Sequence, residues 1–258
     1  MTTATGRLNR HDRRSAFRQL LRTEALLFAR TPVAVTWAAL LPVLAFIILG
    51  FIPGLREASK DLDGDTYLSA YLPILMAFSL VMSAVNLLPP TLALYREKGI
   101  LRRLSTTPVP ASWLLAAQAA IFAGVGLVVS VALFALGIGF DVSVPGQVLG
   151  FGLSLVLLGA ATLGIGLLVT AVARTSKAAN ALSFTLFFPL MFLAGLWVPR
   201  PLMPDILRTA SDYSPLGAGV QALQDSVAGH WPPTSSLLVL LAWAVVTGGL
   251  AIRCFRWQ

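Results

Sequence analysis

Charge is scarce in this chain, and its distribution is uneven. Only 12% of the 258 residues are Asp, Glu, Lys or Arg, while 57% are apolar. A soluble domain carries about twice that charged share, and the mean hydropathy of +0.80 agrees with membrane residence. Cysteine is nearly absent. The single Cys254 excludes a disulfide framework within the chain and offers no metal cluster. The two histidines, His11 and His230, stand alone as polar surface residues, and there is no H-E-x-x-H zinc site. No G-x-x-x-x-G-K-[ST] phosphate loop is present, so the chain does not hydrolyse ATP unaided. No nucleophile–base pair can be drawn within an apolar stretch. No catalytic residue and no metal ligand are therefore expected.

Long apolar runs are what the chain does have. A bilayer core needs about 20 apolar residues per helix, and six stretches qualify: 33–55, 67–94, 113–140, 147–173, 178–199 and 234–252. They lack the alternation of a β-barrel. None contains Asp, Glu, Lys, Arg or His. The expected fold is an all-α integral membrane protein, with residues 1–258 as one permease domain. Proton- and ion-driven carriers keep charge at membrane depth to couple ion and substrate. These runs offer Ser, Thr, Asn86, Gln118 and Asn180, residues that more often join helices. The working energy is then expected from outside the chain.

Charge also sets direction. Fifteen of the nineteen cations lie before the first stretch, after the second, after the fourth or after the sixth, and eight of the eleven acids lie on the other side. The positive-inside rule places both termini and the 95–110 connector in the cytoplasm. The net charge of +8 thus reads as topology rather than as a nucleic-acid surface. The first 30 residues lack the apolar core of a cleavable signal. On a helical wheel over 12–30, Phe17, Leu20, Leu21 and Phe28 share one face, beside a stripe of Arg14, Arg18 and Arg22. That pattern suits an amphipathic helix in the headgroup layer, or a solvated basic arm that only fixes topology. Glu24 falls inside the apolar face, where a simple lipid-binding helix would not want it. It is read as aimed at a cytoplasmic partner.

The connector "YREKGILRRLSTTPVP" fits a short helix over 97–106, ended by Pro108 and Pro110, with Pro89 and Pro90 kinking the span before it. From charge alone it also fits a positive-inside loop with no further task. Its residues carry a resemblance. It resembles the signature of the second exporter family of ABC transporter permeases, the branch with daunorubicin-type drug-resistance permeases, at Glu97, Gly99, Leu101, Arg103, Leu104, Thr107 and Pro108. "LLRTEALLFARTPVAVTWAALLPVLAFIILG", with Glu24, Arg30 and Pro32, is similar to the family's N-terminal helix and first span. "GLWVPRPLMPDILRTASDYSPLGAGVQAL", with Pro199, Pro204 and Pro215, is similar to its segment after the fifth span.

The resemblance implies a half-transporter in a bacterial plasma (inner) membrane. Two copies of a cytoplasmic ATP-binding subunit would carry ATP and Mg2+, and a second permease copy would complete a homodimer. The seven connector residues and Glu24 would couple to the ATPase. Residues 201–233, which hold Asp205, Arg208, Asp212 and Asp225, would form extracellular re-entrant helices. The cargo expected is amphipathic, drug-like, antibiotic or lipid-like. Candidate pathway residues are Phe184, Phe187, Phe188, Met191, Phe192 and Asn86, though an aromatic run also suits lipid contact or core packing. A self-sufficient secondary carrier or channel, a polysaccharide or glycolipid export permease of the same fold, and a membrane scaffold remain the alternatives.

Overall fold

A computed structural model describes residues 10–31, 36–57, 59, 66–100, 111–142 and 145–254. The side chains of residues 10–16, 111, 112 and 201 lie outside that description. The long elements among the described residues are all helices. They are α1 (Arg10–Ala29), α2 (Leu41–Gly50), α3 (Tyr67–Val81), α4 (Leu88–Glu97), α5 (Ala111–Gly139), α6 (Val148–Val172), α7 (Ser176–Leu193), α8 (Asp205–Tyr213), α9 (Pro215–Val227) and α10 (Thr234–Cys254). Among the described residues, five helical stretches are long and apolar enough to cross a membrane: the continuous Tyr67–Glu97, Trp113–Gly139, Val148–Val172, Ser176–Leu193 and Thr234–Cys254. The chain is an all-α, multi-pass integral membrane protein.

The first apolar stretch is described in part. Its described helix covers Thr36–Gly50, a π-helical turn (Thr36–Leu40) running into α2. The expected span reached residue 55, but the helix stops at Gly50. Ile52, forced out of the helical region by the following Pro53, is extended at φ −89°, ψ 109°. The fifth stretch also shifts. It starts at Ser176, ends at Leu193, and turns away at Gly195, whose φ is +92°.

Proline explains the irregular turns. Pro89 and Pro90 carry no N–H for the carbonyls of Val85 and Asn86, and the rings crowd those same oxygens. The preceding turn relieves this by widening into a π-helix over Met82–Leu87, between α3 and α4. Where a kink was expected, the structure has this π turn. The π turn ahead of Pro42 at the start of α2 has the same arrangement.

The helix of α3 and α4 lies at the centre: 83% of its apolar window is buried, against 22% for α7 and for α10. Its core joins Phe78, Met82 and Val85 to Leu158 and Ile165 of α6 and to Phe187 and Met191 of α7. Helix α6 packs most extensively on α10. Small residues permit this. A Cβ on Gly164 would overlap the Thr247 hydroxyl of α10, and one on Gly166 would overlap the Ala84 carbonyl oxygen.

Residues 201–233, barred from spanning by their charges, fold as α8 and α9. Helix α9 is buried from Pro215 to Val220. Ser214 caps it, accepting from Gly217 N at 2.9 Å and donating to Ser211 O at 2.9 Å. Ser211 Oγ donates to Leu193 O at 2.7 Å, which ties this pair to the end of α7. Arg200 pairs with Asp212 across the turn.

Candidate functional site at the connector end

Three consecutive residues at the end of α4 each hold a different element. The Tyr95 hydroxyl donates to Glu24 Oε2 of α1 at 2.9 Å. The Arg96 guanidinium donates to two carbonyls at the end of α6, Ala173 O at 3.1 Å and Thr170 O at 3.3 Å. Glu97 Oε1 accepts from Ser176 N, the first N–H of α7, at 2.8 Å.

The chemistry of these contacts follows from helix ends. The last carbonyls of a helix and its first N–H groups lack intrahelical partners and carry partial charge. Arg96 brings a cation to the negative end of α6, and Glu97 an anion to the positive end of α7. Thr175 completes the α7 start by accepting from Ala178 N at 3.1 Å. The two helices are joined through residues 173–175 alone, so one Arg–Glu pair fastens the whole turn.

Helix α1 is fastened as firmly. Glu24 is only 7% exposed. Its Oε2 accepts from Tyr95 and also from Gln118 Nε2 of α5 at 2.5 Å. Burial pushes its carboxyl above the ordinary range, and the two donors pull it partly back. The sequence had aimed Glu24 at a partner; in the structure its Oε2 accepts from two side chains of this chain. The apolar face around it packs on protein as well. Phe17 meets the Trp113 ring edge-on at 5.8 Å, and Phe28 meets Phe122 at 5.5 Å. A carboxylate in that face is tolerated because α5 supplies an amide opposite it. Arg18, Arg22, Leu26 and Leu27 remain on the exposed side.

Beyond Glu97 the chain leaves the helix. Lys98 N donates to Leu94 O and Gly99 N to Arg96 O, and Gly99 adopts φ +66°, which favours glycine. The helix expected from residue 97 therefore does not begin there: Glu97 is the last residue of α4. Leu101, Arg103, Leu104, Thr107 and Pro108 lie outside the described residues.

The candidate pathway residues divide by helical phase. Phe187 (6% exposed) and Met191 face the core, Phe187 against Phe78 at 5.8 Å. Phe184 and Phe188 (57% exposed) face outward. Phe188 and Phe192 line an open apolar cleft of about 540 Å³ with Pro189, Leu193, Trp197 and Leu207, and Phe188 stacks on Trp197. Asn86 lies inside, in the π turn. Its amide has no partner among the described residues, and neither do the buried hydroxyls of Ser83 and Ser183. Phe78 meets Phe187, and Ala93 clusters with Ala179. Ser183, midway between Phe187 and Ala179, thus sits near the level of Asn86 in the antiparallel pairing.

Sequence reading singled out Glu97, Gly99 and Glu24 but passed over Tyr95, Arg96 and Thr175, and took Gln118 only as a joint between helices. The signals were present: an Arg–Glu pair at a helix end, and a Thr one residue before the fifth helix. Which carbonyl or N–H each would meet depends on how α6 and α7 pack. Against known protein families, residues 15–227 match the model described as ABC-2 type transporter. No curated protein matches the chain.

Proposed function

The chain belongs to the ABC-2 type transporter family and is the permease component of an ABC-type exporter. From that premise we propose that it moves an amphipathic, drug-like or lipid-like compound out of a bacterial cell, powered by a separate ATP-binding subunit. Two such subunits, each binding ATP and Mg2+, would serve a homodimer of this chain. Both termini and the 95–110 connector face the cytoplasm in this reading, consistent with the cation bias. In this reading Glu97, Gly99, Leu101, Arg103, Leu104, Thr107, Pro108 and Glu24 couple the chain to the ATP-binding subunit.

The observation that carries this reading is the fastening at Tyr95, Arg96 and Glu97. A loop that only fixed topology would have no need to hold α1, α6 and α7 together at its root. A motor pressing on the connector would reach all three. The five spans also carry no ionisable Asp, Glu, Lys, Arg or His at membrane depth: their only charges, Arg96, Glu97, Lys177 and Arg253, lie within two residues of a helix end. This weighs against a self-powered carrier.

The cargo route is proposed between two copies. Helix α7, the most open span together with α10, presents Phe184, Phe188 and the apolar cleft to that side. Asn86, Ser83 and Ser183 are buried inside each copy and would offer neutral hydrogen-bonding groups to cargo when α7 parts from the central helix during the cycle. Replacing Asn86 with Leu is expected to cut export of hydrogen-bonding compounds about fivefold, the scale of one such bond, and to spare purely apolar ones. Vesicle uptake measured across a compound panel checks this.

Co-purification and reconstitution test the function itself. A phosphate-loop protein is expected to accompany the chain, and vesicles holding both are expected to export only with ATP. Export driven by an ion gradient without that partner would establish the carrier reading instead. Glu97→Ala is expected to lower export further than Glu97→Gln, because glutamine still accepts from Ser176 N.

A further inference from the structure

We propose that Arg96 is a positioning residue for coupling, and that the α6–α7 turn at residues 173–176 is a second moving part of the machinery. This rests on the ATP-driven reading above. The turn has cations of its own, Arg174 and Lys177, but no glycine or proline like the connector's. It enters through geometry alone: two carbonyls of α6 and one N–H of α7 held by adjacent side chains of α4.

The arrangement is mechanically specific. Arg96 is half-buried, and its planar fork reaches two oxygens three residues apart on α6 at once. A lysine ammonium is a single point charge on a flexible stem and cannot reproduce that geometry. The Arg96 carbonyl meanwhile accepts from Gly99 N at 3.0 Å, so the same residue closes its own helix and begins the turn into the connector. Glu97 then fixes the first turn of α7. A displacement of Lys98 or Gly99 is therefore passed to the end of α6 and the start of α7 together.

What these contacts hold also matters. Helix α7 is far less enclosed than the central helix, with 22% of its apolar window buried against 83%. The element seized by the fastening is thus one that the rest of the bundle restrains least. It is also the helix that carries Phe184 and Phe188. The stroke delivered at the connector reaches α6 through Arg96 and α7 through Glu97, and the two ends move together because only residues 173–175 separate the two helices. The stroke also pulls on α1, through Tyr95 and Glu24. Arg96 touches no cargo and no nucleotide in this scheme. It sets how far the far side of the bundle follows the near side.

The experiment uses the full chain reconstituted with its ATP-binding subunit. ATP hydrolysis and export are measured together for the unaltered protein, Arg96→Lys and Arg96→Ala. Arg96→Ala is expected to keep the bound partner and its hydrolysis, while export per ATP falls about tenfold, the scale of lost charge-assisted bonds. Arg96→Lys is expected to fall between. Export per ATP unchanged in Arg96→Ala overturns the proposal.

A second measurement does not depend on how that variant folds. Spin labels at Lys98→Cys and Lys177→Cys, both on exposed sites, are expected to keep their mutual distance through the ATP cycle while both move relative to a label on α10. A connector label that moves while the Lys177 label stays fixed also overturns it. Failure of the functional reading looks different: the unaltered chain would then export without any ATP-binding partner.

Discussion

Gly166→Val is expected to leave little folded protein in the membrane. The α carbon of Gly166 in α6 faces the π turn between α3 and α4, where even a Cβ would overlap the Ala84 carbonyl oxygen and approach its carbon at 2.8 Å. A flexible side chain could swing away from such an intrusion, but backbone cannot. The neighbour on the other side is no freer, because Gly164 two residues earlier sits against Thr247 of α10. Helix α6 is wedged between the central helix and α10 and cannot shift from one without striking the other. Overpacking of a core costs about 1–3 kcal/mol where side chains give way, and this site lies at or beyond the upper end of that range. Thermal unfolding in detergent is expected to show a large fall in midpoint for Gly166→Ala and no cooperative transition for Gly166→Val. Gly152→Ala, on the same helix but with open space at its Cβ position, is the matched control and is expected to unfold like the parent.

Gln118→Glu is expected to release α1 from the bundle at neutral pH and to restore it in acid. The substitution sets a second carboxylate where an amide now donates to Glu24 Oε2 at 2.5 Å. Two carboxylates at that distance cannot both ionise, and one must hold a proton. The docked population at neutral pH is expected to fall about a hundredfold, the scale of such a like-charge pair. Hydrogen exchange of residues 17–29 reads the release directly, and ATP-driven export is expected to fall with it.

The parent chain carries a weaker version of the same dependence. Burial raises the Glu24 carboxyl above its ordinary value, so the folded state binds that proton more tightly than the unfolded state does. Docking of α1 is therefore firmest below the ordinary carboxylate range and weakens as pH rises through the folded value. Glu24→Gln removes the titration and is expected to flatten that profile while keeping α1 docked at neutral pH. Glu24→Ala removes the acceptor and is expected to leave α1 loose at every pH.

Much of the architecture was legible because the bilayer imposes one demand on sequence, a long run without charge. That demand is local, and among the described residues five of the runs reappear as helices of spanning length. Where the ends were misjudged, local backbone chemistry intervened. Gly195 turned the fifth helix early, and Pro53 closed off the first. The two π turns follow from prolines visible in the sequence, yet the sequence announced only a kink at Pro89 and Pro90 and nothing at Pro42. Their π form is a packing solution that keeps Met82 and Val85 in the core.

The site was less legible, for a different reason. Glu24 looked misplaced in an apolar face, and one dimension offered only a partner outside the chain as an explanation. Gln118, 94 residues away, supplies it. The aromatic run at 184–192 looked like one surface, and helical phase split it between core and exterior.

The sequence alone determined that this chain is a helical membrane body, that it lacks a phosphate loop, and that its distinctive charge sits between the second and third apolar runs. Those properties are sums over neighbouring residues. Tertiary structure alone decided that Tyr95, Arg96 and Glu97 hold α1, α6 and α7 in turn. The ends of helices become ligands for side chains only when folding brings them into reach, and nothing in the order of residues states which ends will meet.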